Sequence, residues 1–296
     1  MKHKLLAILA GIVILSAFCQ GSSGKDRKSI KSEFAMPDSI HLGRGDLEQV
    51  IYETSVPGPT CRRLMVYLPE TYYSDTTSKY PVLYLFHGAR GNELAWIEKG
   101  DIIHTVDSLT ATGKMSPTII VMPDMNHYTD DEDYCFSRKK KPVEALFEVT
   151  GRVETSFMED VVAMIDRRFR TIASKSGRAI AGLSIGGLQS IYISAANPDA
   201  FDYVGLFSPM SRPVVRYGPY KDIYYGLKQK QEIQFANPPK VYWVMIGNYD
   251  IFVENIQYYA NYLRRNGFKH EYICTGGGHT WKNWIRYCSA FLQNLW

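Results

Sequence analysis

The sequence predicts an α/β domain: a mostly parallel central sheet with helices on both faces and an antiparallel strand pair at its N-terminal side. Three observations predict it. Short apolar runs recur as PVLYLFHG, TIIVMPD, RAIAGLS, YVGLFSP, VYWVMIGNYD and HEYICTGGGH, each closing on Gly, Pro, Ser, Asp or His. Helix-like stretches such as FMEDVVAMIDRRF and NIQYYANYLRRNG lie between them. The runs are continuously apolar rather than alternating, the pattern of strands covered on both faces.

The elements follow in order. Lys2 and Lys4 head an apolar stretch from Leu5 to Phe18, so residues 1–21 are expected to be an export signal. LSAFC resembles a bacterial lipoprotein box ending at Cys19, with Phe18 a departure from the small residue usual there. Plain secretion and lipid anchoring at Cys19 both stay open. Residues 22–45, rich in Ser, Lys, Arg and Gly, read as a tether, and residues 46–296 as one catalytic-size domain. LEQVIYET and RRLMVYLP flank the breaking residues Pro57, Gly58 and Pro59, which suggests an opening antiparallel pair.

The parallel runs carry the chemistry at their carboxyl ends, where such sheets bind ligands. In IAGLSIGGLQ, Gly182, Gly186 and Gly187 surround Ser184 between a strand-like run and a helix-like run. Glycine fills no core but permits a sharp reversal, so Gly182-Leu183-Ser184-Ile185-Gly186 reads as a G-x-S-x-G elbow presenting a nucleophile. A serine hydroxyl needs a base. His279 follows the last strand-like run and three glycines, a position from which imidazole reaches over the serine. His3 lies in the leader, His41 in the tether, His104 on a helix and His270 at a strand start. His127 and His87 also end strands, and His87 is better suited to shaping its loop.

The acid is expected between serine and base in the chain. Asp250, closing VYWVMIGNYD, fits; Glu254 competes as an early helix residue, while Asp202 and Asp222 precede the strand. For the oxyanion, backbone amides after the serine and in an early loop are the usual donors, which points to Ile185 and Ala89.

Taken together, YLFHGARGNELAW, AGLSIGG, NPDAFDYVGLFS, IGNYD and GGGHTWKNW resemble the esterase D and feruloyl esterase group, carbohydrate esterase family 1, from about Asp46 to Trp296. The resemblance implies an α/β-hydrolase without a large lid, acting on feruloyl or acetyl esters of plant polysaccharides such as xylan. It also implies Ser184, Asp250 and His279 as nucleophile, acid and base, with Ala89 and Ile185 as oxyanion donors. The stretch 125–149 departs from the family by replacing a shorter glycine-rich loop. Its charge runs suit a solvated surface loop, with sugar contact as the alternative. Trp284, Cys288, Phe291 and Leu295 form a helical stripe, placing Trp284 in the core, whereas Trp281 is a candidate wall of an aryl pocket.

Composition narrows the partners. The formal charge is +4, with 34 Lys and Arg against 30 Asp and Glu, and two of those lysines sit in the leader. That balance gives no reason to expect nucleic acid, or a membrane except through Cys19. Of the cysteines, Cys61, Cys135, Cys274 and Cys288 show no metal-binding spacing, and buried free thiols are expected. No metal or organic cofactor is called for. The expected location is outside the cytoplasm: periplasmic, extracellular or lipid-anchored. Rival readings are a siderophore esterase or acyltransferase on the same fold, or a carbohydrate-binding protein without catalysis.

Overall fold

The computed structural model describes residues 39–41, 45–56, 61–126, 149–213 and 218–296. The leader, Cys19, Cys135, His127 and most of the stretch 125–149 lie outside these residues. One sheet of nine strands organises the chain: β1 (Ser39–His41), β2 (Asp46–Glu53), β3 (Cys61–Leu68), β4 (Val82–Phe86), β5 (Ile119–Pro123), β6 (Arg178–Leu183), β7 (Tyr203–Phe207), β8 (Val241–Gly247) and β9 (Glu271–Thr275). Their spatial order is β1-β2-β3-β5-β4-β6-β7-β8-β9.

Strand β2 pairs antiparallel with both β1 and β3, and β3 is antiparallel to β5. From β5 to β9 every pairing is parallel. The expected parallel sheet is present. The antiparallel side is one strand wider than the pair expected, because β1, inside the stretch read as a tether, pairs Ser39–His41 with β2. Three residues are too few to leave a periodic signal in sequence.

Helices α1 (Ala95–Glu98) and α2 (Ile102–Ala111) follow β4, and α3 (Arg152–Phe157) and α4 (Ala163–Arg168) are joined by a π turn at Met158–Val162. The later helices are α5 (Ile185–Ala196), α6 (Leu227–Ala236), α7 (Val253–Arg265) and α8 (Trp281–Leu292). All five residues of β4, β5 and β7 are buried, which is why their runs are continuously apolar. Helix α7 is instead two-faced, burying Ile256, Tyr259, Ala260 and Leu263. Cys288 is a buried free thiol whose pKa burial pushes up, whereas Cys274 on β9 is exposed, contrary to the expectation of buried thiols. An edge strand has one side that nothing covers, and β9 is last in the order.

Parallel order places the carboxyl ends of β4, β6, β7, β8 and β9 on one rim of the sheet. The reactive residues of the sequence reading are carried there.

Candidate active site

Ser184 stands between β6 and α5 with φ 55° and ψ −115°, a positive φ unusual for a residue bearing a side chain. Its backbone is clamped: its N–H donates to the Phe207 carbonyl at 2.9 Å, and its own carbonyl accepts the amides of Met210 at 3.0 Å and Leu188 at 3.2 Å. Those bonds over-determine a strained dihedral, the condition under which such strain persists. Gly186 serves the same turn, for a Cβ there would overlap the His87 carbonyl oxygen and the Phe86 side chain.

The three predicted polar residues meet. His279 Nε2 is 3.1 Å from Ser184 Oγ, and His279 Nδ1 is 3.1 and 3.0 Å from Asp250 Oδ1 and Oδ2. Asp250 is 3% exposed, and its Oδ1 also accepts the Phe252 amide at 2.9 Å. A carboxylate held from both sides keeps the proton on Nδ1 and leaves Nε2 as the acceptor facing the hydroxyl, the tautomer a general base requires. The competitor Glu254 is exposed on the first turn of α7, and Asp202 sits before β7 beside Lys240.

The loops bearing Asp250 and His279 are zipped to each other. The amides of Asn248 and Tyr249 donate to the carbonyls of Thr275 and Gly277 at 2.8 and 3.0 Å, and the Gly277 amide donates to Asn248 Oδ1 at 3.2 Å. Asn283, 2% exposed on α8, donates from Nδ2 to the Gly278 carbonyl at 3.0 Å. The glycine run therefore does not leave His279 swinging; hydrogen bonds fix its backbone against the β8 loop.

Comparison with known proteins adds the family. The family model described as "Putative esterase" matches residues 59–293. The chain belongs to this esterase family. It is 30% identical over 259 residues to an endo-1,4-beta-xylanase/feruloyl esterase of Xylanibacter ruminicola, covering 86% of this chain and 32% of that protein. It is 37% identical over 130 residues to an esterase of Mycobacterium tuberculosis, covering 44% of this chain and 25% of that protein. The chain thus spans about a third or less of these two relatives. Among solved structures, the ferulic acid esterase of Anaeromyces mucronatus in complex with ferulic acid superposes with a TM-score of 0.68 at 22% identity, over 89% of this chain and 93% of that one. The S-formylglutathione hydrolase of Staphylococcus aureus superposes at 0.64 with 14% identity, over 84% and 98%. At these identities the two structures establish the α/β-hydrolase fold.

Around the esterase's serine, the loop after β4 is held close: a Cβ added to Gly88 would lie 3.3 Å from Ser184 Cβ. His87 is 4% exposed and bridges two loops, its Nε2 accepting the Met125 amide at 2.9 Å and its Nδ1 donating to the Gly88 carbonyl at 2.8 Å. That pattern assigns the neutral Nδ1–H tautomer and leaves no ring nitrogen for catalysis. Beneath it, burial works against ionisation of Asp124. The Asn126 amide and the Arg62 guanidinium favour the ionised carboxylate and hold the carboxyl below its ordinary value. Among the described residues, the amides of Ala89 and Ile185 donate to no acceptor, and Ile185 directly follows Ser184.

The sequence reading missed what stands behind the base. Trp284, 8% exposed, lies edge-to-face against the His279 ring at 4.9 Å between centroids, and Phe252 does the same from another side at 5.1 Å. Trp284 is buried, and the partly exposed imidazole packs against its edge. Trp281 is half-buried against Trp96 at 5.2 Å and Trp284 at 5.4 Å, one ring removed from His279. Nothing in the helical stripe reveals which ring meets the base, since periodicity records a buried face and not its neighbour.

Trp284→Ala is therefore expected to cost about 3–5 kcal/mol of stability in urea denaturation. Esterase kcat should fall more than KM rises, because the imidazole loses a wall. Trp284→Phe, which keeps a ring there, should recover most of both; equal kcat in wild type and Trp284→Ala would remove Trp284 from the positioning of His279.

Proposed function

We propose that this chain is an exported serine esterase that cleaves feruloyl or acetyl groups from plant polysaccharides such as xylan. The observation that carries the hydrolytic part is the unbroken line from Ser184 Oγ through His279 to buried Asp250. Ser184 attacks the ester carbonyl while His279 Nε2 takes its proton. The free amides of Ala89 and Ile185 receive the negative charge that develops on the carbonyl oxygen, and collapse expels the alcohol, protonated by His279. Water then attacks the acyl-enzyme with the same base, releasing the acid and restoring Ser184. The chemistry needs no metal, and among the described residues no cluster of three or more His, Cys, Asp or Glu has metal-binding geometry.

Feruloyl and xylan specificity is supported by the likeness to the Xylanibacter endo-1,4-beta-xylanase/feruloyl esterase. Export rests on the basic head and apolar stretch before Cys19, with lipidation of Cys19 the membrane-bound form of the same proposal. Trp281 stands near enough to His279, through Trp284, to wall the acyl side.

An ester panel tests this reading: methyl ferulate, acetylated xylan, short p-nitrophenyl esters and a siderophore lactone, with intact-mass detection of a fluorophosphonate adduct. Preferred turnover of ferulate or acetylxylan, with the adduct on Ser184, is the expected outcome. Preference for the lactone would move the substrate class, acyl transfer to sugar would mark a transferase, and absence of both turnover and adduct would leave a glycan-binding protein.

A further inference from the structure

Helix α7 breaks its own pattern. It begins three residues after Asp250 and presents Glu254, Asn255 and Gln257 to solvent, yet Tyr258 on that outer side is 61% exposed. A large aromatic left in water is ordinary singly, but Tyr225, 46% exposed, lines the same groove of about 360 Å³. Tyr192 and Tyr262 line the same groove, and Arg212 lies over the Tyr258 ring at 5.7 Å from its centroid. Arg212 forms no ion pair among the described residues. The Tyr262 hydroxyl is buried without a hydrogen-bond partner among them, and burial, with Glu232 adding to it, pushes its pKa up to about 12.

Three of the groove's walls lead back along the chain to the turns that carry Ser184 and Asp250. Helix α5 starts at Ile185, directly after Ser184, and reaches Tyr192 seven residues on, roughly 10 Å along its axis. Helix α7 reaches Tyr258 about 8 Å from its start beside Asp250. Ser211 and Arg212 directly follow Met210, whose amide holds the Ser184 carbonyl. A polymer whose ester carbonyl lies at Ser184 thus has an aromatic trough within a few residues' reach.

We propose that this tyrosine groove is a saccharide subsite that binds the glycan chain carrying the scissile ester, on the side away from the acyl group. The inference rests on the glycan-ester reading above and deepens it. Phenol faces offer flat apolar surface to the C–H faces of sugar rings, while the Arg212 guanidinium supplies donors for ring hydroxyls. No Asp or Glu lines the groove, and Glu232 nearby is paired with Lys228 at 3.6 Å.

The test separates glycan binding from ester cleavage. Full-length protein carrying Ser184→Ala is titrated calorimetrically with an arabinoxylo-oligosaccharide bearing no acyl group. Saturable binding is expected, weakened at least tenfold by adding Tyr258→Ala and Tyr225→Ala together, and restored by Tyr258→Trp with Tyr225→Phe. Tyr73→Ala, at an equally exposed tyrosine elsewhere, should leave the affinity within twofold. Thermal melts confirm that each variant is folded. Absence of binding, or binding indifferent to Tyr225 and Tyr258, overturns the subsite. Hydrolysis of methyl ferulate by the unmodified chain, measured alongside, then tells whether the esterase reading survives that failure.

Discussion

Ser184→Ala is expected to lower kcat/KM for p-nitrophenyl acetate and methyl ferulate by about five to six orders of magnitude, the scale at which loss of the attacking atom disables such a constellation. The melting temperature should scarcely move. Ser184 already holds φ at 55°, a strain that alanine shares, and the backbone bonds to Phe207, Leu188 and Met210 do not use the hydroxyl. What the variant loses is the oxygen that His279 Nε2 faces at 3.1 Å. The amides of Ala89 and Ile185 would remain, so a small rate above that of water is expected to persist. The fluorophosphonate adduct should vanish with the activity. Turnover within tenfold of wild type in correctly folded protein would refute nucleophilic attack by Ser184.

Asp250→Asn is expected to reduce kcat by about four orders of magnitude with little change in KM. The substitution is nearly isosteric in a site that is 3% exposed, and an asparagine oxygen still accepts the Phe252 amide, so folding should survive. The damage lies in the second contact. With its oxygen held by Phe252, the new amide group turns an N–H toward His279 Nδ1, which is satisfied only if Nδ1 gives up its proton. The imidazole then carries its proton on Nε2, where Ser184 needs an acceptor. Steady-state kinetics with a melting curve decides it: a kcat loss below tenfold would mean that another group orients His279. Glu254, the nearest rival in sequence, is exposed and not positioned by these hydrogen bonds to do so.

Much of the site was legible because its constraints are local. The G-x-S-x-G turn needs its glycines within two residues of the serine, since the packing that forbids a Cβ at Gly186 comes from the adjacent strand end at Phe86 and His87. Strands buried on both faces write themselves as unbroken apolar runs, so β4 through β8 could be found, and chain order then put Asp250 and His279 at successive strand ends. The β1 strand, the zipper between the Asn248 and Gly277 loops, and Asn283 beneath Gly278 left no such mark. Each is a contact between short segments whose residues are individually ordinary.

Charge, strand rhythm, the elbow and the identities of the three polar residues were thus determined by sequence alone, because each depends on spacing along one stretch of chain. The order of strands in the sheet was decided only in three dimensions, with β5 placed outside β4. So were the ring of Trp284 against His279 and the gathering of Tyr192, Tyr225 and Tyr258 around one groove. Hydrophobic periodicity states that a face must leave water; which distant face it meets is settled by shape and register among elements tens of residues apart.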